Sequence, residues 1–249
     1  MRAPRSAAKR PAPGNRRPVS PGSDGSDRSS QPENLDTPCP EELARRLRLI
    51  VITDRALAAP RDILDVTTEA LRAGAPAVQL REKHLPPGEV TPAARRIRAA
   101  AHGAGALFFV NDRLDLALAV GADGVHLGPE DLPVSAARRM APPGFLIGYS
   151  ADQPAAAAAA IAAGADYVGC GAVYATRTKD EAGDAIGLSR LAAVVRSVEA
   201  PVVGIGGITA DRAPAIVGTG AAGIAVVSAV MGARDPAQAV RAFLRAAPL

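Results

Sequence analysis

The feature that most constrains the fold is an eightfold alternation of short apolar segments with Ala/Arg-rich segments. The apolar segments start roughly 17 to 35 residues apart, which leaves room for one helix and two loops in each interval. They are Leu49–Thr53, Ala77–Leu80, Leu107–Val110, Gly124–His126, Phe145–Tyr149, Tyr167–Gly169, Val202–Gly204 and Ile224–Val227. Continuous apolar strands are typical of parallel sheets that are buried on both faces. The pattern predicts an α/β fold, a (β/α)8 TIM barrel, with an open doubly wound sheet as the alternative.

Turn signals support this interpretation. Asp62 is placed to cap the first helix after a strand, and Pro154 suits the first turn of a later one. Glycines follow the Ala-rich stretches and predict left-handed residues at helix ends. They are Gly74, Gly103, Gly121, Gly164 and Gly220. The phrase Gly-Ala-Asp recurs at 121–123 and 164–166, each time directly before a strand.

Residues 1–40 differ in composition from the rest of the chain. They contain eight Pro, seven Arg or Lys and four Asp or Glu, so they carry +3 of the net charge of +4. So few large apolar side chains cannot offset the entropy of ordering. The composition predicts two parts, a disordered Pro/Arg/Ser-rich tail over 1–40 and a single barrel domain over 41–249.

Deletion of residues 1–40 is therefore expected to leave turnover and melting temperature nearly unchanged, because this segment cannot join an apolar core. Thermal melts and initial rates of the full chain and the truncated chain test this. A loss of several degrees in melting temperature, or of most activity, would show that the tail docks on the barrel.

Composition excludes several classes of function. Aromatic residues make up 3% of the chain and Trp is absent, which argues against a stacking surface for nucleic acid. The longest Ala-rich apolar stretch, 155–163, is too short to span a membrane. Two cysteines, Cys39 and Cys170, cannot form a disulfide framework. We expect a reduced, cytoplasmic protein, with homo-oligomerisation left open.

Cationic side chains follow the second apolar segment, in the sequence Gln79-Leu80-Arg81-Glu82-Lys83. Alternation along a strand places Gln79, Arg81 and Lys83 on one face and Leu80 and Glu82 on the other. Two cations and an amide at a strand end suit a phosphorylated ligand, and a solvated strand end is the alternative.

Acidic side chains follow the third and fourth segments. Asp112 and Asp131 come after adjacent strands, so their carboxylates can converge. Two hard oxygen ligands without paired His or Cys favour Mg²⁺, and helix capping is the alternative. We interpret His126 as a hydrogen-bonded barrel residue and Cys170 as a small packing residue.

The last three strands predict a second phosphate-binding region. Thr176, Thr178 and Lys179 follow the sixth strand, Gly204-Ile205-Gly206-Gly207 ends the seventh, and Ser228 follows the eighth. Glycines at this position of a barrel supply backbone N–H groups for a phosphate. Two phosphate regions in one barrel suggest an enzyme that joins two phosphorylated molecules.

Together these segments resemble the thiamine phosphate synthase family. The resemblance rests on Thr53-Asp54-Arg55, 79–83, 111–113, 124–128, Asp131, 176–179, 204–208 and Val227-Ser228, in the family's order, and covers about residues 47–244. It implies an enzyme that joins hydroxymethylpyrimidine diphosphate to a thiazole phosphate with loss of pyrophosphate. A thiazole tautomerase on the same barrel and a catalytically silent phosphate-binding barrel are the alternatives.

The resemblance also implies roles for individual residues. Arg81, Lys83 and Lys179 would be catalytic, and one Mg²⁺ per site would be bound by Asp112 and Asp131. The pyrimidine diphosphate would be bound by Gln79, Leu80, Arg81, Glu82, Lys83, Asn111, Ser150 and Lys179. The thiazole phosphate would be bound by Thr176, Arg177, Thr178, Gly207, Val227 and Ser228. The sequence departs from the family pattern at Ile50, Tyr149, Asp152, Ala172 and Ala175.

Overall fold

Eight parallel strands, one from each predicted apolar segment, close into a barrel in the computed structural model, which describes residues 39–176 and 184–247. They are β1 (Leu49–Ile52), β2 (Ala77–Leu80), β3 (Leu107–Asn111), β4 (Gly124–Leu127), β5 (Leu146–Ser150), β6 (Tyr167–Cys170), β7 (Val202–Ile205) and β8 (Gly223–Val226). Each strand pairs with its neighbours in sequence order, and β8 pairs with β1. The predicted barrel is confirmed, and the open sheet is wrong because the first and last strands pair with each other.

Helices separate the strands within the described residues. They are α1 (Pro40–Leu47), α2 (Arg55–Ala58), α3 (Ile63–Arg72), α4 (Pro87–Gly103), α5 (Leu114–Val120), α6 (Val134–Met140), α7 (Pro154–Ala162), α8 (Gly187–Val195), α9 (Ala213–Val217), α10 (Ser228–Met231) and α11 (Pro236–Ala246). The alternation of apolar segments did not predict α1, which comes before the first strand. No helix in these ranges has the length and apolar character that crossing a membrane requires.

Two apolar cores hold the barrel. The larger core lies between the outer faces of the strands and the helices. The smaller one fills the barrel interior, where Phe109 and Tyr167 pack edge to face with ring centroids 5.5 Å apart. Leu43 and Leu47 of α1 join this inner core, so α1 covers the amino-terminal end of the barrel. The opposite end is left for a binding site.

Most of the predicted turn signals are confirmed. Asp62 caps α3 by accepting a hydrogen bond from the Leu64 N–H at 2.7 Å, and Pro154 is the first residue of α7. Left-handed φ angles occur at Gly74, Gly121, Gly164 and Gly220. The prediction for Gly103 is wrong, because α4 includes that residue and Gly105 takes the left-handed conformation instead.

The recurring Gly-Ala-Asp phrase fixes the starts of adjacent strands. Asp123 accepts a hydrogen bond from the N–H of Phe108 at 2.7 Å, and Asp166 accepts one from the N–H of Ile147 at 2.6 Å. Asp166 also pairs with Arg138, whose guanidinium donates to the Gly164 carbonyl. Each aspartate therefore holds the strand before its own in register.

Residues 1–38 lie outside the described part of the chain. The predicted tail and its boundary after residue 40 therefore stay predictions.

Candidate active site

A cavity of about 300 Å³ opens at the carboxyl ends of the barrel strands, where barrel enzymes carry their active sites. Most of the site residues predicted from sequence line it, namely Gln79, Arg81, Lys83, Asn111, Asp112, Ser150, Thr176, Gly207, Val227 and Ser228. Arg177, Thr178 and Lys179 lie outside the described residues. The two phosphate-binding regions predicted from sequence thus face one cavity.

Alternate side chains of the 79–83 segment face this cavity. Gln79, Arg81 and Lys83 line it, as the strand alternation predicted. The side chains of Leu80 and Glu82 do not, which corrects the assignment of the whole segment to the diphosphate. Leu80 is buried in the core between strands and helices, and Glu82 forms an ion pair with Arg55 at 2.9 Å.

Thr53 fixes the end of β2. It is fully buried, and its Oγ1 accepts a hydrogen bond from the Arg81 N–H at 2.9 Å. The Thr53 N–H donates in turn to the Gln79 carbonyl at 2.9 Å. The Arg81 guanidinium lies 4.0 Å from the Asp54 carboxylate. These contacts hold Arg81 at the mouth of the barrel before any ligand binds.

Asp112 and Asp131 come together at the ends of β3 and β4. Their carboxylates are within hydrogen-bonding reach of each other, and Asp131 also accepts a hydrogen bond from the Gly128 N–H at 2.6 Å. Burial, followed by repulsion from Asp131, raises the pKa of Asp112 to about 6, against the lowering effect of Lys83 and Arg81. Asp112 has a left-handed φ of 61°, a conformation that costs energy in residues other than glycine.

This carboxylate pair fits a hard divalent cation. Mutual repulsion between two close carboxylates is relieved when a cation lies between them. The described residues contain no cluster of three or more His, Cys, Asp or Glu that could hold a metal. Oxygen atoms from a substrate phosphate and from water would have to complete the shell of an Mg²⁺ held by Asp112 and Asp131, as is common for this ion.

The glycine-rich region lies at the ends of β6 and β7. Gly206 and Gly207 have left-handed φ angles of 97° and 63°. A Cβ atom at Gly207 would lie 2.6 Å from the Ala175 carbonyl oxygen. The backbone of the loop after β6 therefore packs directly against the Gly206-Gly207 turn, which requires glycine at this position.

His126 is held by two hydrogen bonds, as its interpretation as a barrel residue predicted. Its Nδ1 lies 3.0 Å from the Tyr167 hydroxyl, and its Nε2 lies 3.0 Å from the Ser150 hydroxyl. Cys170 is fully buried, and burial raises the pKa of its thiol to about 12, so the thiol stays protonated near neutral pH. It packs in the outer core, as predicted.

Gly148→Ala is expected to destabilise the barrel by about 3 kcal/mol, because a new methyl group in a packed interior forces neighbouring atoms to move. A Cβ atom at this position would lie 2.2 Å from Tyr167 Cζ and 2.5 Å from His126 Nδ1. Denaturant unfolding measures the loss. Gly88→Ala is the control, because nothing lies within 4 Å of its Cβ position. Equal stability of the two variants would contradict this packing.

Comparison with known proteins identifies the family. A model of the thiamine monophosphate synthase family matches residues 49–230. The thiamine-phosphate synthase of Methanoculleus marisnigri is 49% identical over 195 residues, which cover 78% of this chain and 92% of that protein. This chain belongs to the thiamine monophosphate synthase family. The resemblance drawn from the sequence, and with it the prediction of a transferase of this family, is confirmed.

Two further relatives of the thiamine monophosphate synthase family are a solved structure and a longer bifunctional protein. A solved thiamine phosphate pyrophosphorylase from Pyrococcus furiosus superposes with a TM-score of 0.76 at 44% identity, covering 82% of this chain and 97% of that one. A thiamine biosynthesis bifunctional protein from Symbiobacterium thermophilum is 50% identical over 202 residues. The match covers 81% of this chain but only 41% of that relative.

The departures from the family pattern lie in β1, in and after β5, and in the loop after β6. Ile50, Asp152 and Ala172 line the cavity, whereas Tyr149 packs against the outer core. The Ala175 carbonyl oxygen packs against Gly207. The charged and acidic side chains predicted for the thiamine monophosphate synthase site are unchanged by these departures.

Sequence reasoning missed the role of Tyr167, which reads as an ordinary apolar strand residue. It is almost completely buried and bonds to His126 below the cavity. A signal was present in the sequence, because glycines inside strands often mark close approach of another group. Gly148 and Gly169 leave room for the rings of Tyr167 and His126.

Proposed function

We propose that this chain is a thiamine phosphate synthase. It joins 4-amino-2-methyl-5-(diphosphooxymethyl)pyrimidine to a thiazole phosphate and releases pyrophosphate. The observation that carries the proposal is one cavity that combines Arg81, Lys83 and Asp112, after β2 and β3, with the glycine-rich region after β6–β8. Relatives named thiamine-phosphate synthase, of which the chain spans 92%, support it.

Arg81 and Lys83 bind the diphosphate, together with Gln79, Asn111, Ser150 and Lys179. Both cations line this partly enclosed cavity, where charge interactions are stronger than in water. They neutralise the negative charge that builds up on pyrophosphate as it leaves. Leu80 and Glu82 contribute only by shaping the strand end, since their side chains point away from the cavity.

Asp112 and Asp131 hold one Mg²⁺ in this proposal. When bound, Mg²⁺ would supply positive charge to the leaving pyrophosphate. The protein's own contribution is to hold the two carboxylates together, with Asp131 fixed by the Gly128 N–H. Since the pKa of Asp112 is raised to about 6, metal binding is expected to release a proton in weakly acidic solution.

The reaction needs no nucleophile from the protein. The bond between the pyrimidine methylene carbon and the diphosphate oxygen breaks, and the oxygen keeps the electron pair. The amino group of the pyrimidine stabilises positive charge on the methylene. The thiazole nitrogen then donates its lone pair to that carbon. The buried, protonated Cys170 and the doubly hydrogen-bonded His126 agree with this displacement.

The thiazole phosphate binds at the other end of the cavity. Backbone N–H groups of Gly207, Val227 and Ser228 hold its phosphate, at the phosphate position common in barrels. Thr176, Arg177 and Thr178 complete the subsite from the loop after β6. This arrangement holds the thiazole nitrogen facing the reactive carbon, which is the protein's main catalytic contribution. A cytoplasmic location belongs to the same proposal.

A product assay tests this function. The full chain is incubated with both phosphorylated substrates and Mg²⁺, and thiamine phosphate and pyrophosphate are measured by chromatography. We expect equal amounts of the two products, and loss of both when Mg²⁺ is removed with a chelator. Absence of thiamine phosphate with the folded protein would refute the proposed function.

A further inference from the structure

Arg212 links the two loops that border the glycine-rich end of the cavity. It directly precedes α9, and its side chain is exposed. Its Nη1 donates a hydrogen bond to the Gly207 carbonyl at 2.9 Å, and its guanidinium carbon lies 4.7 Å from the centre of the Tyr174 ring. A guanidinium at this distance from an aromatic face is held by a cation–π interaction.

The two loops are also joined through their backbones. The Val173 N–H donates to the Ile205 carbonyl at 2.8 Å, and the Tyr174 N–H donates to the Gly206 carbonyl at 3.1 Å. Arg212 adds a side-chain contact to each loop directly after these bonds. The position of the Gly207 peptide is therefore tied to the loop that leads to Thr176.

The bond from Arg212 also sets the direction of the next N–H group. The peptide between Gly207 and Ile208 is trans, so its carbonyl and its N–H point in opposite directions. The Gly207 carbonyl points toward Arg212, from which it accepts the hydrogen bond. Arg212 is not among the residues that line the cavity. Gly207 and Ile208 do line it. The N–H of Ile208 therefore points away from the Gly207 carbonyl and from Arg212, and it belongs to a residue that lines the cavity.

We propose that Arg212 is a positioning residue for the phosphate group of the thiazole substrate, a proposal that rests on the function proposed above. It orients the Gly207–Ile208 peptide so that its N–H donates to the phosphate. A charge-assisted bond to the carbonyl polarises the peptide and strengthens the N–H as a donor. The guanidinium also adds positive charge close to the subsite without touching the ligand.

Binding calorimetry of the full-length variants tests this role. The ligands are the thiazole phosphate and the matching thiazole alcohol, which lacks the phosphate. We expect Arg212→Ala to weaken binding of the thiazole phosphate about tenfold and binding of the thiazole alcohol less than twofold. Arg212→Lys keeps the charge and a donor, so its loss for the phosphate should be smaller. Arg241→Ala, an exposed arginine on α11, is the control and should bind both as the wild type does.

The outcomes decide between positioning and general support of the loop. Three results would overturn the proposal. Arg212→Ala could weaken binding of the phosphate and of the alcohol equally, or weaken neither. Arg212→Lys could also lose as much affinity for the phosphate as Arg212→Ala does. Titration of inorganic phosphate with the same variants repeats the test without a substrate. Failure of the wild type to form thiamine phosphate would instead refute the proposed function, so the two failures are distinguishable.

Discussion

Asp112→Asn is expected to lower the rate of thiamine phosphate formation on the order of 10³-fold, because a metal that supports a leaving group contributes several kcal/mol to the reaction. Asparagine keeps the size of the side chain and tolerates the left-handed φ of 61° better than most residues. Steady-state rates over a range of Mg²⁺ concentrations measure the effect. Asp131→Asn should behave similarly.

Asp115→Asn is the matched control for this prediction. Asp115 lies three residues away, its side chain is 66% exposed, and it pairs with Arg113 rather than with the cavity groups. Wild-type turnover of Asp112→Asn at limiting Mg²⁺ would show that the metal assignment is wrong.

Asp112→Asn should raise the free energy of unfolding when metal is absent. The pKa of Asp112 in the folded protein is about 6, above its ordinary value of 3.8. The folded state therefore binds this proton more tightly than the unfolded chain, and the free energy of unfolding falls as pH rises from about 4 to about 7. Asp112→Asn removes this decrease in the free energy of unfolding. In a chelating buffer at pH 8 its melting temperature should exceed that of the wild type, and at pH 4 the difference should vanish.

Arg81→Ala is expected to lower the rate of thiamine phosphate formation on the order of 10²-fold, the range for losing one fixed charge-stabilising group. Arg81 lines the cavity and is fixed through its backbone by Thr53. Lys179→Ala is expected to lower the rate by a similar factor. Rates at saturating substrate measure the loss, and Arg72→Ala, an exposed arginine on α3, is the control. If Arg81→Ala lowers the rate no more than Arg72→Ala does, Arg81 does not stabilise charge in the reaction.

The sequence predicted the strands closely because parallel barrel strands are continuous apolar runs. All eight strands coincide with predicted segments to within one residue at each end. The weakest segment, Gly124–His126, is still a strand, which pairs with β3 and β5. Glycine is needed at its start because a side chain at Gly124 would clash with Phe109 and the Leu146 carbonyl. Helix ends were harder to predict, as at Gly103, because side-chain composition does not fix where backbone hydrogen bonding stops.

The site was predicted in part, and the reason is the geometry of strand ends. Residues directly after a barrel strand reach the same mouth, so Arg81, Asp112 and Ser150 were placed correctly at the cavity. Contacts between distant segments were not accessible from a single sequence. The bond from His126 to Tyr167 spans 41 residues, and the stacking of Arg212 on Tyr174 depends on how two loops pack.

Asp152 bears on the choice between a transferase and a tautomerase. A tautomerase must move a proton on the thiazole phosphate, for which histidine is the usual group near neutral pH. Asp152, which follows β5, lines the cavity, and no His follows His126 in the sequence. The cations and carboxylates needed for a diphosphate are present instead.

Phosphorus and proton NMR of one reaction mixture test the transferase proposal most directly. The full chain is given the thiazole phosphate alone with Mg²⁺, and the pyrimidine diphosphate is added afterwards. We expect little isomerisation of the thiazole phosphate in the first stage, followed by thiamine phosphate and pyrophosphate in the second. Rapid isomerisation in the first stage, with no thiamine phosphate in the second, would contradict it in favour of a tautomerase.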